Sequence, residues 1–176
     1  MKPDSKYDAL PWGEAFARII EERDDLEPVL VVRDDDFGKL SVLRDCFRSR
    51  LDTFEVRLGL CSNTNCIGIE VLLHVDPNYG RERLTKKSIP QETVMIRLRK
   101  KIPKLPFTPI IVIDNCHYLD LRLLFKVARM VNELDGKAMF VFLIPGDFFS
   151  KWNQAVSKNP RLNIFLKLLK HRYEIN

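Results

Sequence analysis

The sequence predicts an α/β fold in which a mainly parallel sheet is covered by helices on both faces. Three observations predict it. Helical and strand-like periodicities alternate along the chain in the order α-β-α-β-α-α-β-α-β-α-α-β. The strand candidates are short continuous apolar runs, as strands buried on both faces require. The chain has 176 residues, 45% hydrophobic and 30% charged, which suits one globular domain of this kind.

The elements follow in order. "WGEAFARIIEERDDL" places Ala15, Ile19 and Ile20 on one helical face, with Phe16 beside them. "PVLVVR" (28–33) reads as a buried strand. "GKLSVLRDCFRSRL" repeats Leu40, Leu43, Phe47 and Leu51 at helical spacing. "TFEVRLGL" (53–60) alternates Phe54, Val56, Leu58 and Leu60 and reads as a strand. "NCIGIEVLLHV" (65–75) is ambiguous by periodicity and favours a helix over a strand, and 76–90 is loop-like. A helix starts near Pro90, with Ser88 as its candidate N-cap, and stops by Pro103. "TPIIVIDN" (108–115) is the clearest strand, and "LDLRLLFKVARMVNELDG" (119–136), closed by Gly136, the clearest helix. "KAMFVFLIPG" (137–146) is a further buried strand, followed by helical "DFFSKWNQAV", helical "PRLNIFLKLLK" and a short final strand, "HRYEIN". Residues 1–25 read as an N-terminal extension carrying the first helix, and 26–176 as a single α/β domain.

Charge and cysteine content narrow the chemistry. The net charge is +5, but nine basic residues between Arg81 and Lys104 face only Glu82 and Glu92. That segment carries +7 and the remainder of the chain −2. Within it, Arg97, Lys100 and Lys101 share one helical face, while Met95, Leu98 and Ile102 share the other. Arg81, Arg83, Lys86, Lys87, Arg97, Lys100, Lys101 and Lys104 form a candidate partner-binding patch. Nucleic-acid phosphate, an acidic protein surface and anionic headgroups all suit it, and so does plain solvation of a helix end. No aromatic residues interleave with these cations, so base stacking is not suggested.

Cys46, Cys61, Cys66 and Cys116 contain no C-x-x-C pair and read as reduced thiols rather than zinc ligands. His74 and His171 stand isolated in sequence, and Cys116-His117 lacks a base–orienter pattern. No apolar run reaches the ~20 residues of a membrane span, and the N-terminus lacks a signal-peptide core, so a cytoplasmic location is expected.

Ligands on parallel sheets bind at the carboxyl ends of strands. Those ends are Arg33–Lys39, Asp114–His117 and Pro145–Asp147. "VLVVRDDDFGKLSVLRDCF" and "PIIVIDNCHYLDLRLLFKVARMVNEL" together resemble the P-loop NTPases of the AAA+ type. The nearest flavour is the bacterial group of ExeA-like secretion ATPases, DamX-like cell-division proteins and Mu-type transposition ATPases. The resemblance covers about residues 10–176 and implies a three-layer P-loop NTPase sandwich, the domain at 26–176, with strand order 5-1-4-3-2; the helical lid that usually follows the last strand is expected to be absent from this sequence, which stops at Asn176.

It also implies a vestigial nucleotide site. Gly38 and Lys39 fall at the Walker A glycine and lysine, and Asp114 at the Walker B aspartate. Arg33 replaces the first motif glycine, Leu40 the magnesium-binding hydroxyl and Asn115 the catalytic glutamate. Near Pro145–Gly146 the chain offers no polar γ-phosphate sensor. Asp34, Asp35 and Asp36 put like charge beside a polyanion; at ~6 Å and an effective dielectric of about 20, each pair costs roughly 2–3 kcal/mol. An amide at 115 cannot take a proton from water. The expectation is therefore a non-catalytic ATPase-like module without a cofactor or metal. It would be an adaptor for another protein, such as an active AAA+ ATPase or part of a bacterial envelope, secretion or division machine. The alternative is a DNA-associated accessory protein using segment 81–104, and a weaker one is an atypical ATP-binding protein.

Overall fold

The apolar runs form five strands: β1 (Val29–Arg33), β2 (Thr53–Arg57), β3 (Ile110–Asp114), β4 (Met139–Pro145) and β5 (His171–Ile175). The computed structural model describes residues 11–23, 25–33, 50–58, 64–76, 78–79, 90–116, 121–158, 163–169 and 171–175. The strands make one parallel sheet in the order β2-β3-β4-β1-β5. Read from the other edge this is 5-1-4-3-2, the order implied by the motif resemblance. Every residue of β3 and β4 is buried, which is why both read as unbroken apolar runs.

Strand alternation sorts the core into two layers. On one face Val29, Val31, Ile110, Val112, Met139, Val141 and Leu143 pack against Ala15, Phe16, Ile19 and Ile20 of α1 (Trp12–Glu21). The α1 helix thus closes a face of the sheet. It ends at Glu21, just past the last of these apolar residues. On the other face Leu30, Val32, Phe54, Val56, Ile111, Ile113, Phe140, Phe142 and Ile144 meet the remaining described helices. These are α2 (Thr64–Val75), α3 (Gln91–Lys101) with a 3₁₀ turn at Ile102–Lys104, α4 (Leu121–Glu133), α5 (Gly146–Lys158) and α6 (Asn163–Leu168).

Segment 65–75, ambiguous by periodicity, is helical, with Ile67, Val71, Leu72 and Val75 buried in the core. Gly68 permits the closest approach: a Cβ there would stand 2.8 Å from Val94 Cγ1 on α3. The α3 helix differs from expectation at its start. Its N-cap is Pro90 itself, with no side-chain cap, and Ser88 lies outside the described residues. Proline fits there because a backbone N–H at the start of a helix would find no intrahelical acceptor, and its φ of −58° is compatible with entry into the helix. Gly136 adopts φ 67°, the left-handed turn expected beyond the end of α4.

The strand order creates a switch point. β1 connects toward the β2 edge, whereas its neighbour β4 connects toward the β5 edge. Connections leaving adjacent strands in opposite directions open a crevice outside their carboxyl ends. Arg33 and Pro145 are paired there, and Asp114 ends the adjoining strand.

Candidate functional site

The described part of this crevice is the end of β3. Asp114 is 1% exposed although it is an acidic residue. Its Oδ1 accepts the backbone N–H of Asn115 at 2.7 Å, and its carbonyl accepts the N–H of Leu58 at 3.2 Å. Asn115 has φ 59°, a left-handed conformation that asparagine tolerates better than most residues. Its side-chain Nδ2 donates to the Leu58 carbonyl at 3.3 Å. Cys116 is buried and its thiol donates to the Ile113 carbonyl at 3.0 Å. Residues 114–116 therefore clamp the end of β3 to the chain leaving β2.

This arrangement bears on what the site can do. Asp114 places a buried acidic side chain at the carboxyl end of β3. The Asn115 amide is a hydrogen-bond donor to a backbone carbonyl. A carboxylate at 115 could not donate that bond. Asp34, Asp35, Asp36, Gly38, Lys39 and Leu40 lie outside the described residues, as do the side chain of Arg33 and the whole of His117.

The basic segment is described in half. Arg81, Arg83, Lys86 and Lys87 lie outside the described residues. On α3, Val94, Met95 and Leu98 are buried, and so is Ile102 in the turn that follows, which leaves the cations on the outer side. Lys101 reaches Asp76 at 3.2 Å, and the Arg97 guanidinium lies 5.4 Å from the centre of the buried Tyr79 ring. These two cations thus tie α3 to the segment after α2. Arg99 binds Glu92 at 3.1 Å and Glu133 at 3.8 Å, while Arg129 binds Glu133 at 2.7 Å and Glu92 at 3.4 Å. That four-member network joins α3 to α4. Lys100 and Lys104 remain exposed.

Sequence spacing missed one cluster. His171, isolated in sequence, opens β5 with its Nε2 2.9 Å from Glu27 and 3.8 Å from Asp25. Asp25 is also paired with Arg23 and accepts the N–H of Glu27. Burial raises the Asp25 carboxyl, but the Arg23 bond, the Glu27 N–H and the nearby imidazole together hold it below the usual value. The parallel pairing of β1 with β5 brings these groups together across 144 residues of chain, a proximity no local motif could reveal.

No known family matches the sequence, and no curated protein does. Solved structures do match. The Orc1 protein of Aeropyrum pernix in complex with DNA is 17% identical, with a TM-score of 0.61, covering 99% of this chain and 45% of that one. Cdc6p of Pyrobaculum aerophilum is 14% identical, with a TM-score of 0.56, covering 84% and 38%. Drosophila ORC bound to AT-rich DNA and Cdc6 is 10% identical, with a TM-score of 0.60, covering 93% and 28%. The chain spans less than half the length of each of these chains. At such identities the likeness concerns the fold, and the fold is that of an AAA+-like P-loop NTPase domain, an α/β sandwich around a parallel five-stranded sheet.

Proposed function

We propose that this chain is a non-catalytic AAA+-like module that acts by binding another protein. The observation that carries the reading is Asn115. Its side-chain amide donates to the Leu58 carbonyl, so the residue next to the retained aspartate is built into the strand clamp. An amide in that role supplies no general base. The substitutions at Arg33 and Leu40 and the three aspartates support the same reading from the other strand end. The motif resemblance to the ExeA-like, DamX-like and Mu-type group supports a partner of a particular kind. It would be an active AAA+ ATPase or a component of an envelope, secretion or division machine, met in the cytoplasm. No described helix is long and apolar enough to cross a membrane. A steady-state assay of magnesium-dependent ATP hydrolysis tests the reading. The expected rate equals that of a Lys39→Ala variant; a rate clearly above it overturns the proposal.

A second reading has its own support. The exposed Lys100 and Lys104 extend a strongly basic segment, and the Aeropyrum and Drosophila structures contain DNA. On this reading the chain is an accessory protein that holds nucleic-acid phosphates through α3 and the segment before it. Duplex binding measured across salt separates the two. Each phosphate contact contributes a slope of about 0.9 in log K against log salt. Binding that weakens uniformly on Lys100→Glu and Lys104→Glu favours DNA; no binding at low salt removes that reading.

A further inference from the structure

Three metal-ligating groups converge where β5 begins and the chain enters β1. His171 pairs with Val29 in the β1–β5 register, and Asp25 and Glu27 stand just before that strand. One ligand atom from each of Asp25, Glu27 and His171 lies within 4.8 Å of the other two. The imidazole Nε2 is 2.9 Å from Glu27 Oε2 and 3.8 Å from Asp25 Oδ2. Ligands held at ~2.0–2.1 Å around a tetrahedral zinc ion stand roughly 3.4 Å apart, so small side-chain shifts would seat an ion among these three atoms.

The existing bonds are compatible with such an ion. Asp25 accepts Arg23 and the backbone N–H of Glu27 on Oδ1, while Oδ2 is the oxygen nearer the imidazole. The Arg23 side chain is 5% exposed and braces Asp25 from the protein side, as hydrogen bonds to ligating carboxylates do. Burial raises the Asp25 carboxyl, but these bonds outweigh it and keep the group ionised, as a ligand must be. An ionised carboxylate offers about four lone-pair sites, so Glu27 can ligate and keep other contacts. Only the hydrogen bond between His171 and Glu27 gives way to the ion.

We propose that Asp25, Glu27 and His171 bind a zinc ion, with water completing the shell, and that the ion fastens edge strand β5 to the entry of β1. One imidazole with two carboxylates suits zinc, whereas calcium takes six to eight oxygens. The site lies at the opposite end of β1 from the crevice beside Asp114, so it stands apart from the function proposed above. The Arg23 guanidinium opposes a cation, and plain ion pairing among these side chains is the competing account.

The experiment uses the full chain, titrated with zinc chloride by calorimetry and with cobalt(II) as an optical probe of the ligand type. A single saturable zinc site is expected. Cobalt should give visible absorption without the near-ultraviolet sulfur-to-metal band that cysteine ligands produce, and zinc should displace it. Glu27→Gln and His171→Gln should each weaken zinc binding by about tenfold or more. His74→Gln, at an exposed histidine on α2, should leave it unchanged. Glu27 and His171 are both partly exposed, so neither substitution opens the core. Zinc should also slow amide exchange in β5 of the wild type but not of His171→Gln. Absence of saturable zinc binding leaves ion pairing alone and overturns the proposal. So does a cobalt complex with the sulfur band, binding that survives both Glu27→Gln and His171→Gln, or binding lost equally in His74→Gln.

Discussion

The central strands and the residues at their carboxyl ends follow different rules. β3 and β4 are apolar throughout, buried on both faces and paired in parallel. They make the same sheet as solved proteins that share only 10–17% of the sequence. At the end of β3 and one residue beyond it, the side chains make local polar contacts instead. Asp114 is retained and buried, but Asn115 is hydrogen-bonded into the backbone of the neighbouring strand. A sheet tolerates many apolar sequences of suitable volume. A catalytic site requires particular groups at particular atoms. On the proposed reading, the scaffold persists while the site beside it takes on a structural job.

The largest expected effect lies in the scaffold. Phe142 is fully buried, stacks on Phe140 at 6.3 Å and meets Phe165 edge-on at 5.2 Å. Phe142→Ala should cost about 3–5 kcal/mol in denaturant unfolding. A loss below about 1 kcal/mol would break the claim that this layer carries the stability.

A smaller effect belongs to the strand end. Asn115→Glu removes the bond to Leu58 and puts a less tolerant residue at φ 59°. It should cost about 1–3 kcal/mol without producing ATP hydrolysis. Unchanged stability with new hydrolysis would show that the amide was a simple replacement in an otherwise working site.

The smallest effect is electrostatic and lies at the amino ends of the strands. Burial raises the Asp52 carboxyl, but Arg50, bonded to both of its oxygens at 3.1 Å, outweighs that and holds it below the ordinary carboxylate value. A lowered folded-state value means stability that is fully present above the ordinary value, near about 4, and lost as pH falls through the folded one. The stability gap between wild type and Asp52→Asn should thus be flat at neutral pH and shrink on acidification. A gap that grows in acid would reverse the assignment.

The legible and illegible parts of the molecule divide on similar lines. β1, β3 and β4 could be read from their residues, because burial on both faces leaves a continuous apolar signature. Strand order could not; it came from the resemblance carried by "RDDDFGKLSV" and "IDNCHYL". The α2 helix was ambiguous because its sequence is largely apolar without a clear period, and the approach of Val94 to Gly68 accounts for the glycine. The outward charge of α3 was legible as helical spacing. Its partial neutralisation by Asp76 was not, since that carboxylate follows a different helix. His171 looked isolated because Glu27 and Asp25 reach it only through the β1–β5 pairing. The substitution at Asn115 was visible in sequence; its left-handed backbone and its bond to Leu58 were not.

The central claim is that a nucleotide-site scaffold remains without nucleotide chemistry. Titrating Mg-ATP while following the melting temperature tests it most directly. A ligand at about 100 times its Kd stabilises a folded protein by roughly 2.7 kcal/mol. The account predicts no saturable shift for the wild type and the same flat response for Lys39→Ala. A saturable rise that Lys39→Ala abolishes would contradict it.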